Sequence, residues 1–94
     1  MEAPLHVDPE VRAALATRLR RIQGQVEGLQ RMLADGRDCV EIAQQVAAAR
    51  AALHRVAIDL ITAGLERCIQ LEAEGKPQAG RARNKLRRTF LMLR

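Results

Sequence analysis

The chain has 94 residues, enough for one small domain, and we treat residues 1–94 as a single unit. Hydrophobic residues make up 48% of it, too large a share for a disordered chain, and the single aromatic residue, Phe90, implies an aliphatic core. The net charge is +5, and a small chain with two cysteines, two histidines and no nucleotide loop is a poor candidate for an enzyme.

Composition also narrows the cellular setting. No apolar run approaches the roughly 20 residues that a membrane span needs, and the first residues lack the basic and apolar regions of a secretory signal. We therefore expect a cytoplasmic protein without a membrane partner, in a compartment where thiols stay reduced. No sequence pattern predicts a bound cofactor.

The N-terminal third predicts a short arm, residues 1–7, followed by a helix over about 9–34. Asp8 serves as N-cap, Pro9 occupies the first helical position and Glu10 adds an acid to the first turn. Apolar residues then recur at spacings of 4, 3, 4, 3 and 4, which is a heptad seam: Leu15, Leu19, Ile22, Val26, Leu29 and Leu33. Gly36 is the expected left-handed end of this helix.

A much longer second helix is predicted over about 39–74. Asp38 and Glu41 form a capping-box pattern at its start, and the apolar seam continues without a proline until Pro77. A short third helix, about 81–93, follows.

The length of the second helix has a geometric consequence. About 36 residues span roughly 54 Å, whereas a compact chain of this size has a radius of gyration of about 12–13 Å. The first helix is too short to cover the second, so part of the seam needs a partner. We predict an all-α, three-helix protomer whose two long helices form an antiparallel four-helix bundle in a homodimer.

The two cysteines give the sharpest site hypothesis. Cys39 and Cys68 are 29 residues apart, about 43 Å along a helix, so they cannot meet within one chain. Yet 29 steps of 100° amount to eight turns plus roughly 20°, which places both on nearly the same face. Antiparallel pairing about a dyad near Leu53 and His54 would set Cys39 of one protomer against Cys68 of the other. The alternative is that both are small buried apolar residues.

Chemistry at these thiols has two possible forms. Free N–H groups and the helix dipole at the start of the second helix stabilise a thiolate at Cys39, which favours reactivity. A soft metal site would use both thiolates and a further donor. The position one turn before Cys68 is Gly64, and His54 lies about 21–22 Å from either thiol. His6 in the arm is then the remaining nitrogen donor.

Basic residues form two clusters that suit a phosphate backbone, with a solvated helix surface as the alternative. One is Arg18, Arg20 and Arg21. The other spans 81–94, with six basic residues and no acids, and from it we select Lys85, Arg87 and Arg88.

The segment 18–32, followed by Cys39 and Cys68, resembles the CsoR/RcnR/FrmR family of bacterial repressors. The resemblance implies a dimer-of-dimers tetramer that binds operator DNA without a helix-turn-helix and releases it on effector binding. It also suggests Arg18 and Arg55 as DNA contacts, beside the five residues selected by charge alone.

Among members of the family, the copper sensors carry a His 25 residues after the first Cys, where this chain has Gly64. Their outer-shell Tyr and Glu correspond to Asp38 and about Asn84, and the nickel, cobalt and formaldehyde types also fit poorly. The persulfide-sensing CstR type keeps two cysteines without this His. The resemblance therefore implies a repressor whose Cys39 and Cys68 are joined across protomers as a di-, tri- or tetrasulfide by persulfides or polysulfides. The alternatives are a Cu(I) sensor with an altered ligand set of Cys39, Cys68 and His6, and a helical adaptor with inert cysteines.

Overall fold

The computed structural model describes residues 4–93, which form three helices and no strand. These are α1 (Pro9–Ala34), α2 (Cys39–Ala73) and α3 (Ala79–Leu91). The prediction of an all-α protomer with two long helices and one short helix is confirmed. No helix in this part of the chain is long and apolar enough to span a membrane. Residues 1–3 of the predicted arm lie outside the described residues.

The helix ends differ in detail from the sequence predictions. Asp38 caps α2 by accepting hydrogen bonds from the N–H groups of Val40 and Glu41. Glu41 does not complete a capping box, because its carboxylate accepts a hydrogen bond from Arg37 at 2.6 Å. Asp8 precedes Pro9 but makes no side-chain cap bond.

Two glycines end the long helices. Gly36 has φ 66° after α1, and Gly75 has φ 73° after α2. These are left-handed backbone conformations, which glycine adopts readily and residues with a Cβ adopt only with strain. The third helix begins and ends two residues earlier than expected, over Ala79–Leu91. Its first residue, Ala79, is almost fully buried, so packing extends the helix before Gly80.

The three helices pack in series along α2. Leu15 and Ile22 of α1 bury themselves against Val56 of α2, beside Val11 and Ala52. The second half of α2 packs against α3 and carries its own buried row: Ile61, Gly64, Cys68 and Leu71. No contact joins α1 to α3 within residues 4–93. The protomer is therefore elongated, 57 × 26 × 21 Å, with a radius of gyration of 17.4 Å.

Half of the heptad seam stays exposed in the single chain. We call this surface the apolar stripe; its six residues are 43–66% exposed and repeat every seven positions on each helix: Leu19, Val26 and Leu33 on α1, Val46, Leu53 and Leu60 on α2. Cys39 lies seven residues before Val46 and begins the α2 row. Rows of leucine and valine at this spacing are typical of a helix–helix interface. We still expect a second copy of the chain to cover the apolar stripe.

Replacing Leu53 with Lys should weaken self-association by about tenfold or more, because burying a leucine side chain contributes roughly 1.5–3 kcal/mol. Light scattering coupled to size exclusion measures the mass against concentration. Gln44→Lys adds the same charge to an exposed residue of α2 outside the apolar stripe and should leave the mass unchanged. A monomeric wild-type protein at micromolar concentration would contradict the interpretation.

Candidate functional site

The two thiols lie in contrasting environments. Cys39 is the first residue of α2 and is exposed, directly after the capping residue Asp38. Cys68 is 1% exposed and lies in the buried row between α2 and α3. Because one continuous helix separates them by about 43 Å, no rearrangement of a single chain that preserves α2 brings them together.

Burial dominates the chemistry of Cys68. Desolvation raises the pKa of this thiol, the nearby Glu72 carboxylate raises it further, and Arg83 opposes both effects. Arg83 also forms an ion pair with Glu72, which joins α3 to the end of α2. Cys68 is therefore a neutral thiol near pH 7 and needs a partner that compensates its buried negative charge before it ionises.

Gly64, one turn before Cys68, is a tight packing position. A Cβ placed on it would meet the two terminal methyl carbons of Leu86 at 3.1 and 3.2 Å, and a methyl carbon of Leu5 at 3.5 Å. The space where a side chain at position 64 would lie is thus filled from the arm and from α3. Within residues 4–93, no three His, Cys, Asp or Glu side chains lie close enough to share a metal ion.

The arm is docked at the same end of α2. A cavity of about 150 Å³ is lined by Pro4, Leu5 and His6 of the arm and by Arg67 and Leu71, which lie within three residues of Cys68. Gln78 and Ala82 complete its lining. His6 is exposed, whereas Leu5 is half-buried. Sequence reasoning missed the packing of Leu5 against Gly64, for which the alternation of Leu5 and Val7 in the arm is a local signal.

Basic residues converge in a groove between the middle of α1 and the middle of α2. We call it the arginine groove; it measures about 380 Å³ and six residues line it: Arg18, Arg21, Ile22, Gln25, Ala52 and Arg55. Asp59 of α2 accepts hydrogen bonds from Arg18 and Arg55. The hydrogen bond from Arg18, above all, holds the pKa of Asp59 below its usual range.

The other basic candidates do not line this groove. Arg20 donates to the Thr17 hydroxyl at 3.2 Å. Lys85, Arg87 and Arg88 lie on α3, which makes no contact with α1 in the described part of the chain. The structure therefore brings Arg18, Arg21 and Arg55 together in one groove, which the α3 residues do not line. A DNA-binding role for any of the seven remains a prediction.

Comparison with known proteins identifies relatives over most of the chain. The profile of the metal-sensitive transcriptional repressor family matches residues 11–91. The copper-sensing transcriptional repressor RicR of Mycobacterium tuberculosis is 40% identical over 65 residues, which cover 68% of each chain. The copper-sensing transcriptional repressor CsoR of Bacillus subtilis is 36% identical over 64 residues, which cover 68% of this chain and 63% of CsoR. No solved structure gives a significant match.

Native-state alkylation should distinguish the two thiols. We expect iodoacetamide to modify Cys39 at least about tenfold faster than Cys68 near pH 7, because Cys68 is buried and its pKa is raised. The Cys68 rate should climb as the pH approaches that raised pKa, and peptide mass spectrometry follows both sites. Unfolding in guanidinium is the control and should bring the rates close together. A Cys68 that reacts as fast as Cys39 in the native protein would contradict this environment.

Proposed function

This chain belongs to the CsoR/RcnR family of metal-sensitive transcriptional repressors, and from that premise we propose that it is a repressor released from operator DNA by Cu(I). Membership makes it a transcriptional repressor rather than an enzyme, and it implies operator binding and oligomerisation. The CstR subtype inferred from the cysteine pattern is not confirmed. Cu(I) is favoured over persulfide as effector because the two relatives above are copper sensors.

The available donor atoms, two cysteine sulfurs, favour Cu(I) over other metals. Soft thiolates select Cu(I), and a closed-shell Cu(I) ion is satisfied by two of them, whereas Zn(II) sites usually take four ligands. With Leu5 and Leu86 packed over Gly64, position 64 offers no third donor. Cys39 of one protomer and Cys68 of the other fit this two-thiolate chemistry. His6, docked near Cys68, is the one imidazole at that end of α2 among residues 4–93.

Ionisation of the thiols sets the pH dependence of binding. Cys39 is exposed at the start of α2, where the N–H groups of Val40 and Glu41 already donate to the Asp38 carboxylate. Cys68 must lose its proton as the ion binds, because burial raises its pKa. Protons therefore compete with Cu(I), and apparent affinity rises with pH until Cys68 is ionised in the free protein.

The position of the arginine groove between the two thiols supports a route from effector binding to DNA release. Arg55 lies on α2 between the two thiols, and Asp59 ties it to Arg18 on α1. An ion that joins the ends of paired α2 helices changes how the bundle packs, and with it the relative placement of these arginines. DNA then favours one packing arrangement of the bundle and the effector favours another, so each weakens binding of the other.

Anaerobic competition with a Cu(I) chelator tests the donor set. The wild type should bind one Cu(I) per protomer, and Cys39→Ser or Cys68→Ser should each weaken binding by about a thousandfold or more, since one thiolate remains. His54→Ala removes an imidazole about 21–22 Å from either thiol, so it is the control and should have no effect. Full affinity in either cysteine variant would contradict the proposal.

A persulfide is the second candidate effector, favoured by the absence of a donor at Gly64. A thiolate of Cys39 would take the sulfane sulfur of a persulfide RSSH and release RSH. Attack by the Cys68 thiolate on the protein-bound inner sulfur would then form an interprotomer disulfide and expel hydrogen sulfide. Non-reducing intact-mass analysis separates the two candidates: a covalent dimer that forms with glutathione persulfide, in a protein without tight Cu(I) binding, would support this one.

Salt dependence of DNA binding tests the arginine groove. Arg18→Ala or Arg55→Ala should weaken binding to a duplex and reduce the slope of log K against log salt by about one, because each removes a phosphate contact. Arg12→Ala, an exposed residue of α1 outside the groove, is the charge-matched control. Equal effects of all three variants would contradict a specific role for the groove.

A further inference from the structure

Asp59 of α2 accepts hydrogen bonds from two arginines, Arg18 on α1 and Arg55 on its own helix. Arg18 of α1 donates from Nη1 to Oδ2, and Arg55 of α2 donates from Nε to Oδ1 at 3.3 Å. Each carboxylate oxygen thus holds one guanidinium group. Because Arg55 lies one turn before Asp59, the contact fixes an arginine of the same helix together with one of its neighbour.

Each arginine uses only one nitrogen to contact Asp59, so its remaining N–H donors are available to a ligand in solvent. A guanidinium has five N–H donors in a rigid fork. Arg55 engages Asp59 through Nε, and its side chain is 72% exposed, so its terminal amino groups face solvent. Arg18 engages through one terminal nitrogen and is 44% exposed. The carboxylate thereby contacts both guanidinium groups and leaves their other N–H donors unused by it.

The negative charge of Asp59 opposes sequence-independent attraction between this surface and DNA. Its pKa is held below the usual range, first by the hydrogen bond from Arg18, so it remains ionised near neutral pH. A negative charge in contact with Arg18 and Arg55 weakens the attraction of this surface to any phosphate backbone. A surface built only to attract DNA would gain by losing this acid, so orientation is the contribution that the geometry favours.

We propose that Asp59 is a positioning residue for DNA recognition, which rests on the proposed operator binding. It holds Arg18 and Arg55 at a fixed separation across the two helices, so that they match one spacing and orientation of phosphates or bases. Contacts with fixed geometry set the register of a protein on a duplex, whereas mobile cations attract all duplexes alike.

Asp59→Asn separates orientation from charge, because it keeps the side-chain shape and removes the negative charge. Affinity is measured for two duplexes, one selected from a random pool by the wild-type protein and one with the same bases in scrambled order. The variant should bind the scrambled duplex more tightly and gain nothing on the selected one. The ratio of the two affinities should then fall by at least about fivefold.

Glu27→Gln is the matched control. It removes the same charge from an exposed residue of α1 that does not line the arginine groove. It should tighten binding to both duplexes equally and leave their ratio unchanged. Asp59→Glu keeps the charge with one more methylene and should retain part of the discrimination.

The outcomes separate the inference from the proposed function. An Asp59→Asn variant that tightens both duplexes equally, as Glu27→Gln does, overturns the positioning role while leaving DNA binding intact. A wild-type protein that enriches no duplex overturns both. Should Asp59→Asn lose its helical circular dichroism, Arg18→Lys replaces it, since it keeps the charge but not the fork; an unchanged affinity ratio there also overturns the inference.

Discussion

The continuity of α2 is the constraint on which the rest of the molecule depends. A helix of 35 residues is about 52 Å long and stiff, and the other two helices of its own chain pack along it in series and leave one face uncovered. It keeps Cys39 and Cys68 apart in the protomer while holding both in nearly the same angular phase. The same rigidity leaves the apolar stripe exposed, so the assembly that would cover the stripe is also the one that would bring the thiols together.

The packing along α2 divides the protomer into two ends. The first half of the helix packs on α1, where the arginine groove lies, and the second half packs on the arm and α3 around Cys68. Gly64 is the point of closest approach at the second end, because its missing side chain lets Leu5 and Leu86 meet the helix backbone. The arm runs from this contact directly into α1, so few residues separate the packing at Gly64 from the start of α1.

Local signals in the sequence account for most of the fold. Pro9, Asp38, Gly36 and Gly75 act through backbone geometry that depends on immediate neighbours, so they mark helix ends without knowledge of packing. The start of α3 at Ala79 was missed because burial of that residue, rather than a capping signal, decides it.

The arrangement of the candidate site could be predicted from the sequence less completely than the fold. The phase of the two cysteines follows from helix periodicity alone, but the burial of Cys68 depends on α3 and the arm folding back. The role of Asp59 could not be predicted, because no nearby residue in the sequence indicates that Arg18, 41 residues away, donates a hydrogen bond to its carboxylate. Arg18 and Arg55 came from resemblance to the family, and only the packing of α1 on α2 explains why they lie together.

Complementation between two defective chains tests the central claim, that one site is built from two protomers. Cys39→Ser and Cys68→Ser chains with different tags are co-expressed, and the mixed dimer is purified and titrated with Cu(I) under anaerobic conditions. Each homodimer lacks one thiol at both of its sites, whereas the mixed dimer retains one complete pair and one empty pair. The account predicts tight binding of one Cu(I) per mixed dimer and none by either homodimer. A mixed dimer that binds no better than the homodimers would contradict it.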